Sequence, residues 1–212
     1  MSSVDGRLTD SRWTAPYKAE HEELLKIYSS IGMELNTDAW MFGKNTLHAI
    51  FPYKFGITGH GVPHDTPTLF VGERHSARMF IVADPEGDIY FTSATVRGDN
   101  ILVIVGRNVT EENLALLREL RISYVIVSDA TNLREALEAV SREFGIRSIS
   151  VQGGGILNGA LLAERLIDEL SLVVYPGIDG LSGVSSIFEY MGGMTEYPAN
   201  GQRLQLLTAS GR

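Results

Sequence analysis

The run Ser148-Ile-Ser-Val-Gln-Gly-Gly-Gly-Ile-Leu-Asn-Gly-Ala-Leu-Leu-Ala-Glu-Arg-Leu-Ile-Asp-Glu-Leu-Ser-Leu-Val-Val-Tyr175 constrains this chain more than any other. It reads as a short buried strand (Ile149 to Val151), three glycines, a helix, and a second strand from Leu170 to Tyr175. Gly153, Gly154 and Gly155 stand where a strand gives way to a helix. Without Cβ atoms the backbone turns sharply there, and an anion can approach the peptide N–H groups. Those N–H groups are the unpaired donors of a first helical turn, and the helix dipole adds positive potential. Two readings stand side by side: a phosphate cradle, or a tight glycine turn that binds nothing.

The 212 residues suit one domain, 1–212, with a sizeable core. A formal net charge of −8 argues against a nucleic-acid-binding surface, which needs a basic stripe, but leaves room for a local anion site. Cysteine is absent, which removes disulfides, thiolate metal sites, cysteine nucleophiles and the zinc deaminases. No apolar run is long enough to span a membrane, and the polar N-terminus lacks the apolar core of a signal peptide. The expectation is a cytoplasmic protein.

Strand and helix patterns alternate along the chain, the sign of an α/β fold with a mostly parallel central sheet. Asp5-Gly6 is a turn dipeptide. A helix is expected from about Lys18 to Ile31, with Leu24, Ile27, Tyr28 and Ile31 on one face and Gly32 as its cap. Asp38 to Gly43 reads as a strand, followed by Lys44, Asn45 and Thr46 and a short helix stopped before Pro52; Asn45 or Thr46 would cap it. Phe51 to Pro67 reads as a pocket-lining loop containing Tyr53, His60 and His64. Gly61 and Pro63 disfavour the helix that a His-x-x-x-His metal site would need, and no metal site is expected.

Further strands are expected at Met79 to Ala83, Tyr90 to Thr92, Ile101 to Val105, Tyr124 to Val127 and Arg203 to Leu207. A helix opens at Thr110. Another runs from near Thr131 to Gly145, striped by Leu133, Ala136, Leu137, Val140 and Phe144. Three strands thus end in glycine, at Gly43, Gly106 and Gly153, each with a helix close behind. In an open α/β sheet the carboxyl ends of the strands form the ligand edge. Two glycine-opened helix starts placed together would clasp a pyrophosphate, and Lys44 and Arg107 are the cations best placed to help. Neither a Gly-x-Gly-x-x-Gly fingerprint in the first βα turn nor a Walker A loop is present.

Three motifs in this order, Ser3-Val4-Asp5-Gly6-Arg7, Gly43-Lys44-Asn45-Thr46, and Gly153-Gly154-Gly155 through Leu166-Ile167-Asp168-Glu169-Leu170 with Pro176 beyond, resemble the reductase domain of riboflavin biosynthesis. That domain is the C-terminal half of the bifunctional deaminase-reductase. The resemblance covers nearly the whole chain. It implies a dihydrofolate-reductase-like, three-layer α/β/α fold, NADPH as hydride donor, a homodimer, and a pyrimidine-type substrate resembling a ribosylaminouracil. It also implies that Gly43, Lys44, Asn45, Thr46, Gly153, Gly154, Gly155 and Ile156 hold the pyrophosphate. Val105, Gly106 and Arg107 would lie near the adenosine, with Arg107 or Lys44 meeting the 2′-phosphate. Ser3, Asp5, Arg7 and Gln152 would form the substrate site.

Two departures stand out. Gln152 occupies a position where the family commonly has glutamate, and a neutral amide cannot serve as a carboxylate base. A full apolar strand also usually precedes the Asp-Gly motif, whereas only a few residues do here. Hydride transfer asks the protein for positioning and a proton source. Asp5 is the candidate for an orienting or proton-relaying role, with turn formation as the alternative. Arg7 would bind an anionic group of the substrate, and Gln152 would hydrogen-bond the substrate or the carboxamide. The competing expectations are a nucleotide-binding homologue without turnover, or a reductase of an unrelated carbonyl or imine.

Overall fold

The computed structural model describes residues 1–18, 20–51, 54–55, 61–63, 65–128 and 132–211. Its elements in chain order are α1 (His21–Glu34), β1 (Ala39–Gly43), α2 (Lys44–Ile50), β2 (Lys54–Phe55), β3 (Leu69–Phe70), β4 (Met79–Asp84), β5 (Ile89–Tyr90) and β6 (Thr95–Val96). They continue with β7 (Asp99–Gly106), α3 (Glu111–Glu119), β8 (Ser123–Val127), α4 (Leu133–Phe144), β9 (Ile149–Val151) and α5 (Gly155–Ala163).

The main sheet runs β3-β8-β7-β4-β1-β9, with β6 also on β7. The pairs β8-β7, β7-β4, β4-β1 and β1-β9 are all parallel. β3 and β6 pair antiparallel with their neighbours. Strands β4, β7 and β8 are almost wholly buried apolar runs, as a sheet covered on both faces requires. Alternate residues point to opposite faces and meet different helices. Phe42, Phe80, Val82, Val103 and Val105 pack with Leu47 of α2 and Leu114 and Leu117 of α3. Met41, Ile81, Leu102 and Ile104 pack with Ala136 and Val140 of α4 and Leu157 and Leu161 of α5. This is the expected three-layer α/β/α arrangement.

The helix signals differ in how their ends are made. Thr110 and Asn132 cap α3 and α4 with their own side chains, accepting from Asn113 N–H and Glu135 N–H. Gly145 ends α4 in the left-handed conformation. The expected start of α4 at Thr131 lies outside the described residues. α1 begins at His21 and continues to Glu34, so Gly32 is interior to it and not its cap. The glycine serves contact instead, since a Cβ there would meet Trp40 Cη2 at 3.3 Å. In α2 the N-cap is Gly43; Asn45 and Thr46 lie inside the first turn.

Two expected strands are not formed. Residues 170–175 carry no regular structure beyond one bridge, Ser2 to Val174, and Leu170, Leu172 and Val174 stay exposed. Residues 203–207 are irregular, with Leu204, Leu206 and Leu207 exposed. Apolar alternation makes a strand only where a neighbouring strand supplies backbone partners, and among the described residues neither segment has one beyond that bridge. The expected loop from Phe51 to Pro67 contains β2, which pairs with β5. Tyr53, His60 and His64 lie outside the described residues.

The chain's last third returns over α5. Gly155 and Gly159, one turn apart, let the backbone of residues 186–190 cross that helix closely. An added Cβ would sit 2.2 Å from Ser186 O at Gly155 and 2.2 Å from Glu189 O at Gly159. Glu189 N–H donates to Gly155 O at 2.9 Å, and Asn158 Nδ2 donates to Ile187 O at 2.8 Å. Gly159→Ala therefore forces a methyl against the backbone of Glu189 and Tyr190. It is expected to lower stability by about 1–3 kcal/mol in urea denaturation, with the tail becoming protease-sensitive first. An unchanged midpoint would mean that the tail does not rest there.

Candidate functional site

Parallel strands align their carboxyl ends, so Gly43, Asp84, Gly106 and the turn after Val151 all fall on one edge of the sheet. β1 and β9 are neighbours there. Gln152 N–H donates to Met41 O at 2.8 Å and Gly43 N–H to Gly153 O at 2.8 Å, so pairing continues past β9 into the glycines. The starts of α2 and α5 are thereby joined directly.

Both helices have glycine at the N-cap, Gly43 for α2 and Gly154 for α5, and so neither is capped by its own N-cap side chain. In this they differ from α3 and α4. The gap between the two starts is narrow and lined by backbone. A Cβ on Gly43 would lie 3.5 Å from Gly153 O and 3.7 Å from Gly154 N, and one on Gly154 would lie 3.0 Å from Thr46 Oγ1. The Gly153–Gly154 peptide is cis. Two helix N-termini, a threonine hydroxyl and glycines that keep side chains out fit a diphosphate. Ile156 is half-exposed on the first turn of α5. The Cα of Gly155 instead faces Ser186 and Glu189.

Lys44 is drawn toward the centre of the sheet edge. Its Nζ pairs with Asp88 Oδ1 at 2.7 Å and Glu86 Oε2 at 3.2 Å. Beneath this pair lies Asp84, fully buried at the end of β4, with Oδ2 accepting from Ile89 N–H at 3.1 Å and Oδ1 without a partner. Burial raises the Asp84 pKa to about 7. The third glycine junction is built otherwise. Gly106 N–H donates to Pro85 O, Arg107 Nη1 donates to Pro63 O at 3.1 Å, and α3 opens with Glu111 and Glu112. Val105 is buried in β7. A helix start that is capped by threonine and acidic does not favour an anion, whereas the other two junctions have glycine N-caps and no side-chain cap.

The N-terminal motif folds onto residues 173–186. Ser2, Val4 and Leu8 N–H groups donate to Val173, Gly177 and Ser185 carbonyls. Asp5 is fully engaged. Its Oδ1 accepts from Ser3 Oγ at 2.7 Å and Asp179 N–H at 3.1 Å, and its Oδ2 accepts from Gly180 N–H at 2.9 Å. The Ser3 hydroxyl and these N–H groups hold the carboxyl well below its usual range. A carboxylate held in this way is an orienting clamp and is ill suited to deliver a proton near neutrality. Ser3 is buried, and its hydroxyl also accepts from Arg7 N–H. Arg7 Nη1 donates to Val184 O at 3.1 Å.

Gln152 follows β9 directly. Its Oε1 accepts from Tyr28 at 2.7 Å, and its Nε2 donates to Ser150 Oγ at 2.7 Å. Tyr28 entered the sequence reading as one position of an apolar stripe, where spacing says nothing about its hydroxyl. The buried Asp84 was missed for a similar reason, since a single acid ending an apolar run resembles a strand boundary. Among the described residues no helix is long and apolar enough to cross a membrane.

The architecture agrees with comparisons with known proteins. A pyrimidine reductase-like protein from Corynebacterium diphtheriae is similar in structure, with a TM-score of 0.59 and 17% identity over 90% of this chain and 77% of that one. Acinetobacter baumannii RibD is similar with a TM-score of 0.54 and 19% identity over 96% of this chain. The match spans 50% of that longer protein. At such identities the likeness speaks to the fold alone. No curated protein sequence matches the chain. The sequence profile of the RibD C-terminal domain, by contrast, matches residues 1–207. With nearly every residue matched, this chain belongs to the RibD C-terminal domain family.

Proposed function

We propose that this protein is an NADPH-dependent reductase of a small pyrimidine-type heterocycle, with the dinucleotide's diphosphate held between the starts of α2 and α5. The observation that carries the reading is the Gly43 N–H to Gly153 O bond, which sets two glycine-capped helix starts side by side. Family membership and the similarity to a protein described as pyrimidine reductase-like support it. NADPH, when bound, supplies the hydride. The chain's own residues bind and orient. Asn45, Thr46 and the turn 153–156 meet the diphosphate, while Asp5 holds the loop of residues 3–7 against residues 179–180. Arg7 and Gln152 face the substrate.

Because Lys44 is paired with Asp88 and Glu86, Arg107 is the better cation for a 2′-phosphate. The exposed Leu170, Leu172 and Val174 offer a second copy an apolar surface, and a cytoplasmic homodimer completes this reading. Two observations favour the alternative of a nucleotide-binding homologue without turnover: the motif's acid is held as an anion, and the residue before the glycines is an amide.

Fluorescence titration with NADPH and NADH, followed by dinucleotide oxidation with pyrimidine, pterin and carbonyl compounds, tests both. NADPH is expected to bind about tenfold more tightly than NADH, with Arg107→Ala closing most of that gap. Binding without oxidation of any compound selects the homologue reading, and binding of neither dinucleotide removes the assignment.

A further inference from the structure

Lys44 opens a helix whose start is offered to an anion, yet its ammonium is spent on two carboxylates. Gly43 pairs in register with Ala83, so the next residues on the two strands, Lys44 and Asp84, leave the sheet side by side. Asp84 lies two positions beyond Val82 and so faces the layer of α2 and α3. The turn after it is fixed on several sides. Gly87 N–H donates to Asp84 O and Gly106 N–H to Pro85 O, both at 3.0 Å, and Asn113 Nδ2 of α3 donates to Gly87 O. Gly87 has φ +65°, and a Cβ there would meet Val109 Cβ at 2.6 Å. Glu86 and Asp88 are therefore held in place, while Lys44 reaches them on a flexible four-carbon stem at 3.2 and 2.7 Å. In this cluster the lysine is the part that can move.

Asp84 bears on how firmly Lys44 is held. Its carboxyl is buried, with Oδ2 accepting from Ile89 N–H and Oδ1 without a partner. Burial is the main cause of its pKa of about 7; Asp88 and Glu86 add to the shift, while Ile89 N–H and Lys44 oppose it. Below that pH Lys44 faces two charged carboxylates, and above it three. The added charge sits where water and salt screen it little. It tightens the hold on Lys44 and makes the end of β4 more negative, and both effects disfavour an anion at the neighbouring helix start. Other titratable or charged groups on the surrounding elements are His48, exposed one turn beyond Lys44, Tyr90 of β5, Glu111 and Glu112 of α3, and Arg107, which donates to Pro63 O.

We propose that Asp84 is a positioning residue for Lys44: charged, it keeps the ammonium on the acidic turn, and neutral, it lets the ammonium turn to an anion held between the starts of α2 and α5. Dinucleotide binding then weakens as pH rises. The inference rests on the proposed function only in naming that anion. The competing explanation is that Asp84 serves the turn alone, through its bond to Ile89 N–H.

The test is fluorescence titration with NADH, whose diphosphate keeps its charge throughout, at about pH 6 and about pH 8. The full chain is compared with Asp84→Asn, Lys44→Met and the two together. The parent is expected to bind about fivefold more weakly at the higher pH, and Asp84→Asn to bind equally at both. In the Lys44→Met background, Asp84→Asn is expected to change little. Every variant keeps His48, so its own titration cancels in the comparison. Glu86→Gln, at an exposed side chain, loosens the same hold without touching the core. It is expected to tighten binding about threefold at the higher pH, whether or not Asp84→Asn folds.

A pH dependence equal in the parent and Asp84→Asn, an equal effect of Asp84→Asn in both Lys44 backgrounds, or unchanged binding in Glu86→Gln overturns the inference. Tight binding that ignores pH leaves the reductase reading standing and removes this one. Should neither NADH nor NADPH bind at any pH, the reductase reading falls, and the NMR signal of Lys44 Cε, assigned from Lys44→Met, decides this one. A signal that shifts with a midpoint near pH 7 in the parent and stays still in Asp84→Asn sustains the inference, and any other pattern removes it.

Discussion

Replacing Gly43 by alanine is expected to weaken NADPH binding by ten- to a hundredfold, about 1.4–2.7 kcal/mol, in a protein that still folds. The position separates the two effects well. Its backbone has φ −75° and ψ 151°, which any residue adopts. The new methyl would sit 3.4 Å from Leu157 Cβ and 3.5 Å from Gly153 O, ordinary packing distances. The loss of stability should stay within about 1 kcal/mol, the usual range for alanine at an N-cap. The methyl nevertheless stands where the two helix starts converge, 3.7 Å from Gly154 N, and in the proposed cradle it would crowd the N–H groups offered to a diphosphate. Fluorescence titration gives the dissociation constant, and a thermal melt reports the fold. A folded variant that binds NADPH as tightly as the parent would remove the cradle from the account.

The second large effect concerns Asp84. Its carboxyl has a model-compound pKa of 3.8 and one of about 7 in the folded protein, because burial disfavours the anion. Above the upper value the folded chain must carry a buried charge that the unfolded chain carries in water. A raised acid favours the folded state fully below pH 3.8, and that advantage is lost as pH rises to about 7. A difference of that size corresponds to roughly 4 kcal/mol. Asp84→Asn removes the ionisation and keeps an oxygen for Ile89 N–H, but its Nδ2 replaces an oxygen that has no partner. An unsatisfied donor costs about 1–3 kcal/mol, so the net gain at pH 8 should be about 1–3 kcal/mol. Urea denaturation from pH 4 to pH 8 should show the variant drawing ahead of the parent as pH rises. Parallel curves would mean that Asp84 is charged at no cost, with the Lys44 cluster or water solvating it.

Much of the fold was legible because its signals were local. Thr110, Gly145 and the run Tyr124 to Val127 each state their role within a few residues, and the structure uses them as expected. The glycine turns were legible as junctions, but not their selection. Which two of the three stand together depends on strand order, and strand order is set by packing across the whole sheet. β1 inserts between β4 and β9, while the Gly106 turn lies beyond β4 and leads into a helix already capped by threonine. The expected strands at residues 170–175 and 203–207 illustrate the opposite limit. Their alternation is real, yet a strand's pairing belongs to its neighbour as much as to itself. For the candidate site, residue types were readable and their engagements were not. Asp5 is taken by N–H groups far along the chain, and Lys44 by two acids just beyond β4.

The backbone of residues 186–190, pressed into the two glycine notches of α5, would tie occupancy of a dinucleotide site at that helix start to order in the tail. Since that segment braces the helix whose first turn would receive the dinucleotide, a ligand there and a seated tail favour each other reciprocally. A ligand-saturated sample should therefore keep its final stretch shielded from proteases that trim the apoprotein, although nothing bound touches the cleavage points.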